Sequence, residues 1–175
     1  MLVTISGLPG SGTSTVARRV ATELDLVHLD GGTIFRQLAA GAGMSLAEFG
    51  QWAEKHPEVD LALDRRLAER AKLADVVLES RLAGWIAHNE GLAGLRVWLA
   101  CADEVRAARV ARRDRLRPEE ALEVNRDREA SERARFRAYY GIDLDDLGLY
   151  HLVLDSAAIG PDELAATIVD RARSG

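Results

Sequence analysis

The chain has 175 residues, 47% of them hydrophobic and 29% charged, which suits one globular domain with a substantial core. Its net charge of −5 argues against general binding of nucleic-acid polymers, and no apolar run is long enough to span a membrane, so we expect a cytoplasmic protein. The single cysteine, Cys101, excludes an internal disulfide and is expected to pack in the core. The four histidines show no spacing typical of a metal site.

A glycine-rich stretch follows the first predicted strand. Leu2 to Ile5 form a short β-branched run, the sequence GLPGSGTST occupies residues 7–15, and Val16, Val20 and Leu24 then recur at helical spacing. In a strand, glycine-rich turn and helix, backbone N–H groups converge on phosphate at the positive end of the helix. The pattern predicts a nucleotide-binding loop. The alternative is a strand-to-helix turn that binds nothing.

One position in this loop departs from the common pattern G-x-x-x-x-G-K-[ST]. Thr13 stands where lysine is usual, and a threonine hydroxyl carries no charge to the β and γ phosphates. Ser14 keeps the hydroxyl that is expected to bind Mg²⁺. The sequence leaves open which cation replaces the lysine.

The next predicted elements are a short strand and a run of helices. Residues 26–29 predict a second strand that ends in an open turn at Asp30-Gly-Gly, and a helix is predicted from Thr33. Ser45 and Glu48 have the spacing of a capping box at the start of another helix.

That helix is predicted to stop before Pro57, where a further helix begins. The face of this further helix is predicted from one stripe of residues: Leu61, Arg65, Ala68 and Lys72. Since residues 36–72 contain no predicted strand, we expect them to form an insertion that stands off the sheet.

Strands and helices alternate in the rest of the chain. Strands are predicted at 74–79, 95–100 and 152–154, and helices from Asp103 to a break near 116–118, from 119 to 140, and from Pro161. This alternation implies a mostly parallel sheet with helices on both faces. Ligands in such folds bind at the carboxyl ends of the strands.

Several arginines are placed where this fold would bring them to the glycine-rich loop. Arg36 lies one helical turn past Asp30-Gly-Gly, and Arg81 follows the strand that ends in Glu79. The others lie around the helix break: Arg109, Arg112, Arg113, Arg128 and Arg135. A guanidinium fork can hold two phosphate oxygens at once. The alternatives are a solvated helix residue for Arg36, a salt-bridged exposed helix for the later arginines, and an arginine partner instead of a water or magnesium ligand for Glu79.

Three features suit an enzyme that passes a phosphoryl group between two nucleotides. They are a loop for one polyanion, separate arginines for another and an arginine-rich helical arm. Such an enzyme must hold two polyanions close together, neutralise the moving charge and exclude water.

The chain resembles the archaeal-type cytidylate kinases, a branch of the nucleoside monophosphate kinases, over nearly its whole length. The shared segments are TISGLPGSG in residues 4–12, GTIFR from Gly32, MSLAEFG from Met44, HPEVD from His56, VVLESRLAGW from Val76, REASERARFR from Arg128, YYGIDLDDL from Tyr139 and LVLD from Leu152. Thr13, and Ser80 in place of a more usual glycine, are departures.

The resemblance implies an α/β P-loop NTPase-type fold, with a parallel five-stranded sheet and helices on both faces. Residues 1–175 would be a single domain with an acceptor-binding insertion at about 36–72 and a short arginine-rich lid at about 109–125. It implies transfer of the γ-phosphoryl group of ATP to CMP or dCMP with Mg²⁺, by a monomer. The alternatives are an adenylate kinase or another small-molecule P-loop kinase, and a nucleotide-binding regulator without turnover.

The resemblance also implies roles for particular residues. ATP would be bound by Gly7, Leu8, Pro9, Gly10, Ser11, Gly12, Thr13, Ser14 and Thr15. The acceptor would be bound by Asp30, Arg36, Arg81, Glu132 and Arg135. Catalysis would fall to Ser14, Arg109, Arg113 and Arg128, with Ser14 also binding the metal. We expect one of the arginines to supply the charge that Thr13 lacks.

Overall fold

The computed structural model describes residues 1–73 and 75–175 as one parallel sheet flanked by helices. The strands are β1 (Leu2–Gly7), β2 (Val27–Asp30), β3 (Val76–Glu79), β4 (Leu95–Ala100) and β5 (Leu152–Asp155). The helices are α1 (Thr13–Leu24), α2 (Gly31–Gly41), α3 (Leu46–Ala53), α4 (Glu58–Leu73), α5 (Ala83–Asn89), α6 (Asp103–Asp114), α7 (Pro118–Tyr140) and α8 (Pro161–Ser174). Ala74, where the third predicted strand was expected to begin, lies outside the described residues.

The strand order is β2-β3-β1-β4-β5, and every neighbouring pair is parallel. The central strand β1 is buried on both faces, which is why its sequence is a continuous β-branched run rather than an alternating one. In the register, Asp30 lies beside Glu79, and Ile5 lies beside Glu79 from the other side. The loop after β1 therefore emerges next to both carboxylates. The predicted parallel sheet of five strands is confirmed.

Helices cover both faces of the sheet, as predicted. On one face, Val16 and Val20 of α1 and Ile168 of α8 pack against β1 and β4. On the other, Leu67 of α4 and Phe136 of α7, together with α5, pack against β1 and β3. Burial of these apolar side chains is the main favourable contribution to folding. None of the helices in the described part of the chain has the length and apolar character needed to cross a membrane.

One local prediction is wrong, and one short helix was not predicted. There is no open turn at Asp30-Gly-Gly: α2 begins at Gly31, because the Asp30 carboxylate caps it by accepting from the Thr33 backbone N–H at 2.8 Å. Sequence periodicity also missed α5, which has seven residues and is too short to show a repeating apolar pattern.

The predicted face of α4 is also wrong. Leu61 is 41% exposed, and of the predicted stripe Ala68 is the buried member. The buried positions are instead Asp60, Leu67, Ala68 and Ala71. The helix therefore turns a carboxylate inward at its first turn, where an arginine of α7 meets it. Its last turns pack on β3, so the extent of the expected insertion at 36–72 stays a prediction.

The capping box at the start of α3 is confirmed. The Ser45 hydroxyl accepts from the Glu48 backbone N–H at 3.2 Å, and the Glu48 carboxylate accepts from the Ser45 N–H at 2.8 Å. We expect Ser45→Ala to lower the free energy of unfolding by about 1 kcal/mol, because it leaves a donor of the first turn unpaired. Urea unfolding measures this change. Ser174→Ala is the control, because Ser174 is the last residue of α8 and caps no helix start. An equal loss of stability in both variants would contradict the role of Ser45 as a cap.

Helices α6 and α7 form a hairpin with its own small core. Ala107, Val110 and Ala111 of α6 pack against Ala121 of α7. Arg115 ends α6 in a left-handed conformation with φ of 58°, and Pro118 is the first residue of α7. The predicted break between the two helices is confirmed. The expected lid at about 109–125 falls on the tip of this hairpin.

Candidate active site

The carboxyl ends of β1, β2 and β3 open into a cleft of about 880 Å³. Its floor is the glycine-rich loop from Leu8 to Thr15 and the start of α1. The walls come from α2, α4, the segment after β3, and the α6–α7 hairpin. Among the residues predicted to bind ATP, Gly7 does not line this cleft; it ends β1, and its carbonyl accepts from Arg81 at 2.8 Å.

The loop is held in a shape that leaves backbone N–H groups for a ligand. Gly10 and Gly12 have φ of 84° and 87°, which L side chains rarely adopt. A Cβ on Gly10 would lie 2.6 Å from the Arg106 carbonyl oxygen. Gly12 is the N-cap of α1 and offers no side-chain oxygen to the first amides of that helix. These amides, at the positive end of the helix, suit a phosphate.

Glu79 at the end of β3 organises the hydroxyl groups of the loop. Its carboxylate is 5% exposed and accepts from the Thr13 hydroxyl at 2.8 Å and from the Ser14 hydroxyl at 2.6 Å. The other carboxylate oxygen lies 2.8 Å from Nε2 of His28. Glu79 thus bonds the loop and a histidine of β2 rather than an arginine. His28 was not among the predicted site residues, because it carries no sequence signal beyond its place on an edge strand.

The Ser14 hydroxyl and the Glu79 carboxylate carry oxygen atoms that could bind a metal ion at the loop. Hard oxygen ligands are what Mg²⁺ prefers, and it is usually held by one or two side chains together with phosphate oxygens. The hydroxyl and carboxylate here fit that requirement. Elsewhere, the described residues contain no group of three or more His, Cys, Asp or Glu side chains arranged to hold a metal ion.

A cluster of arginines in the same cleft is centred on Glu132 of α7. Arg81 donates to one carboxylate oxygen at 2.8 Å, and Arg128 donates to the other at 3.1 Å. Burial acts to raise the pKa of Glu132, but the guanidinium groups of Arg81, Arg128 and Arg135 outweigh burial and lower that pKa. The pKa of Arg128 is lowered to about 10, chiefly by burial; the charge of Glu132 opposes this shift, and the charges of Arg81 and Arg36 add to it. The cluster has more positive than negative charge, which favours an anion.

Arg36 stands at the rim of the cleft near this cluster. Its guanidinium donates to the Thr33 hydroxyl at 2.6 Å and lies 3.7 Å from the Asp30 carboxylate. The side chain is 45% exposed, so a ligand in the cleft can reach it. Asp30, predicted to bind the acceptor, uses its carboxylate to cap α2 and to accept from the Thr33 hydroxyl at 2.5 Å.

Arg135 is buried in the wall of the cleft, as Glu132 is. It is 4% exposed, and its Nη1 donates to both oxygens of Asp60, at 2.9 and 2.8 Å. Near this pair, Asp64 accepts from the Tyr140 hydroxyl at 2.6 Å. Sequence analysis missed Asp60 and Asp64, although their spacing places them on one face of α4.

The predicted lid arginines differ in their partners. Arg113 pairs with the adjacent Asp114 at 2.6 Å and is 55% exposed. Arg109 bonds neutral groups: the Gly10 carbonyl at 3.4 Å, the Ser156 hydroxyl and carbonyl at 3.1 and 2.6 Å, and Sγ of Cys101 at 3.5 Å. Cys101 is therefore half-buried beside an arginine, and the prediction that it packs in the core is wrong.

Arg106 is a structural part of the site that sequence analysis did not single out. It is 2% exposed, and it donates to the carbonyls of Pro9 at 3.0 Å and Cys101 at 3.2 Å. It also pairs with Asp103 at 2.7 Å and with Glu129 of α7. One buried guanidinium thus joins the loop, the end of β4 and both helices of the hairpin.

Comparison with known proteins agrees with this geometry. Residues 2–158 match the cytidylate kinase-like family. The cytidylate kinase of Pyrococcus furiosus is 45% identical over 168 residues, which are 96% of this chain and 86% of that protein. The cytidylate kinase of Halobacterium salinarum is 47% identical over 171 residues, 97% of this chain and 88% of that protein.

Solved structures with low sequence identity share the fold. Shikimate kinase from Acinetobacter baumannii, in complex with shikimate, has a TM-score of 0.63 at 18% identity, covering 99% of this chain and 93% of that one. A gluconokinase from Sinorhizobium meliloti has a TM-score of 0.61 at 16% identity, covering 98% and 93%. With a glycine-rich loop and an arginine cluster in one cleft, and a family match over most of its length, the chain belongs to the cytidylate kinase-like family.

Proposed function

We propose that this chain is a cytidylate kinase that transfers the γ-phosphoryl group of ATP to CMP or dCMP, giving ADP and CDP or dCDP. The observation that carries the proposal is the presence of two separate anion sites in one cleft: the amide loop at the start of α1, and the arginines around Glu132. A protein that only sensed a nucleotide would need one. The choice of cytidine nucleotides rests on the names of the relatives.

The donor is held by the loop from Leu8 to Thr15, with Arg109 lying across it. Backbone amides and the dipole of α1 stabilise the negative charge of the β and γ phosphates. Mg²⁺, when bound beside Ser14 and Glu79, would neutralise part of the charge on these phosphates. The Ser14 hydroxyl donates its hydrogen bond to Glu79, so the lone pairs of the Ser14 oxygen would be free to bind Mg²⁺.

The acceptor phosphate is held by Arg36, Arg81 and Arg128. A phosphate oxygen of CMP attacks the γ phosphorus of ATP, and the bond from this phosphorus to the bridging oxygen of ADP breaks. No covalent intermediate with the protein is needed, so the chain contributes positioning and charge stabilisation. Glu132 holds Arg81 and Arg128 in place by accepting from both, while Arg135 pairs with Asp60 beside them. We further propose a cytoplasmic monomer, as the resemblance to archaeal-type cytidylate kinases implies.

A coupled assay for ADP release tests this function. The protein is supplied with ATP and Mg²⁺, and CMP, dCMP, UMP, AMP and GMP are given separately. We expect turnover with CMP or dCMP and roughly 100-fold lower kcat/KM with the other acceptors, because a base with the wrong hydrogen-bonding groups leaves buried polar groups unpaired.

Preferred turnover of AMP would agree with the proposed phosphoryl transfer but contradict the choice of CMP or dCMP as the acceptor. ATP binding without turnover of any acceptor would reject the kinase and favour a regulator. Omission of Mg²⁺ with EDTA present is the control, and it should abolish ADP release.

A further inference from the structure

Two carboxylates in the cleft wall play no part in holding phosphate. Asp60 and Asp64 of α4 both line the cleft, in a site that must bind two polyanions. Negative charge there opposes phosphate binding, since charges in a low-dielectric cleft interact strongly. These side chains therefore need a partner other than phosphate.

The surroundings of the two carboxylates differ. Asp60 is 4% exposed, and the guanidinium of Arg135 satisfies both of its oxygens. Asp64 accepts from the Tyr140 hydroxyl with Oδ2, and among the described residues Oδ1 has no hydrogen-bond donor. The pKa of Asp64 is raised to about 7: burial and the nearby charge of Asp60 raise it, and they outweigh the hydrogen bond from Tyr140 and the charge of Arg135, which lower it. Asp64 thus has one acceptor oxygen to offer to a ligand.

The same part of the cleft is suited to a flat apolar ring. Phe35 of α2, Leu63 of α4 and Phe136 of α7 line it together with Asp64. The guanidinium carbon of Arg135 lies 5.1 Å from the centroid of the Phe35 ring. Nε of Arg135 is buried and has no partner among the described residues, which is unusual for a charged donor. An aromatic ligand with both a donor and an acceptor on its edge would complete this wall.

We propose that Asp64, supported by the Asp60–Arg135 ion pair, recognises the exocyclic amino group of the acceptor base and thereby selects cytosine over uracil; this inference rests on the function proposed above. At pH 8, above its pKa, Asp64 is mostly ionised, and an ionised carboxylate only accepts hydrogen bonds. The N4 amino group of cytosine can donate to it, whereas O4 of uracil would place two acceptors against each other. Cytosine N3 and O2 are acceptors that suit the unpaired Nε of Arg135. Discrimination thus comes from a repulsive contact with the wrong base as well as an attractive one with the right base.

Asp64→Asn tests the inference with little change in shape. The amide can rotate to donate to uracil O4, so the ratio of kcat/KM for CMP to that for UMP should fall by roughly 100-fold, mainly through KM. Competition binding of CMP and UMP without ATP should show the same change. Glu69→Gln is the matched control, because it makes the same carboxylate-to-amide change on the exposed face of α4. The control should keep the wild-type ratio.

The variant is expected to fold. The folded-state pKa of Asp64 lies above its ordinary value of 3.8, so the ionised side chain destabilises the folded state increasingly as the pH rises from about 4 to about 7. Asp64→Asn removes that charge, so at pH 8 its Tm should be equal to or above that of the wild type.

The outcomes separate the two proposals. A wild type that turns over CMP, together with an Asp64→Asn variant that keeps the wild-type preference in both turnover and binding, would overturn the role of Asp64 and leave the kinase function intact. A wild type without turnover of CMP would overturn the proposed function and this inference with it.

Discussion

Replacing Arg106 by methionine is expected to lower the free energy of unfolding by about 3–5 kcal/mol, the range for breaking a buried ion pair from one side. Methionine fills much of the same volume but leaves Glu129, which is 14% exposed, without its partner. The carbonyls of Pro9 and Cys101 lose their donor as well. Burial acts to lower the pKa of Arg106, yet the hydrogen bonds and charges of Glu129 and Asp103 outweigh it and raise that pKa. The guanidinium is therefore well compensated in the folded state.

Urea unfolding measures this loss, provided the slope of the transition is unchanged. Arg117→Met is the control, because Arg117 is 74% exposed and pairs with Glu120 at the surface. Exposed pairs of this kind contribute about 1 kcal/mol at most. A loss below about 1 kcal/mol for Arg106→Met would show that this buried network adds little stability.

The position of Arg106 explains why its loss should also affect the loop. Its backbone carbonyl is the group that a Cβ on Gly10 would approach to 2.6 Å, and its side chain holds the Pro9 carbonyl. The shape of the loop thus depends on α6 as well as on its own glycines. This contact connects the phosphate-binding amides to the hairpin formed by α6 and α7.

Features with a local cause could be predicted from the sequence. The mostly apolar run at residues 95–100 predicts β4 with its observed bounds, and the capping box at Ser45 needs only residues three positions apart. The glycines of the loop were recognisable because a left-handed conformation there excludes most other residues. The break before Pro118 follows from the missing N–H of proline.

The remaining features depend on contacts between distant parts of the chain. Three arginines of α6 recur at near-helical spacing: Arg106, Arg109 and Arg113. Only the packing of α6 decides that the first is buried, the second lies over the loop and the third is exposed. Asp60 faces inward because it pairs with Arg135, which lies 75 positions later in the chain. A search for an apolar stripe therefore could not predict the buried face of α4. His28 meets Glu79 only because β2 and β3 are neighbours.

Arg109 is the arginine best placed to replace the lysine that is usual at Thr13. Its Nη1 would lie 3.6 Å from a Cβ on Gly12, directly before Thr13. Arg113 and Arg128 are paired with Asp114 and Glu132, whereas the hydrogen-bond partners of Arg109 among the described residues are neutral. We therefore propose that its charge acts on the β and γ phosphates of bound ATP. Thr13 directs its hydroxyl to Glu79 and supplies no such charge.

We expect Arg109→Ala to lower kcat/KM for ATP by about 10³-fold, the scale on which a single charged or oxyanion-stabilising group contributes to phosphoryl or acyl transfer. Arg113→Ala and Arg128→Ala should also be measured, with a smaller loss expected for Arg113 because its charge is already neutralised by Asp114. Arg112→Ala is the control, since Arg112 is exposed on the same helix outside the cleft. Near-normal turnover in the Arg109, Arg113 and Arg128 variants alike would refute the idea that an arginine of this arm compensates for Thr13.

A double substitution then separates charge replacement from simple positioning of the loop. If Arg109 supplies the missing charge, adding Thr13→Lys to Arg109→Ala should recover at least about tenfold in kcat/KM, whereas Thr13→Lys alone should change little, because one cation is already present. If Arg109 acts only by holding the carbonyls of Gly10 and Ser156, a lysine at residue 13 cannot restore those bonds, and the double variant will be no more active than Arg109→Ala. The interaction energy between the two sites thus distinguishes a cation that acts on the phosphates from one that only supports the loop.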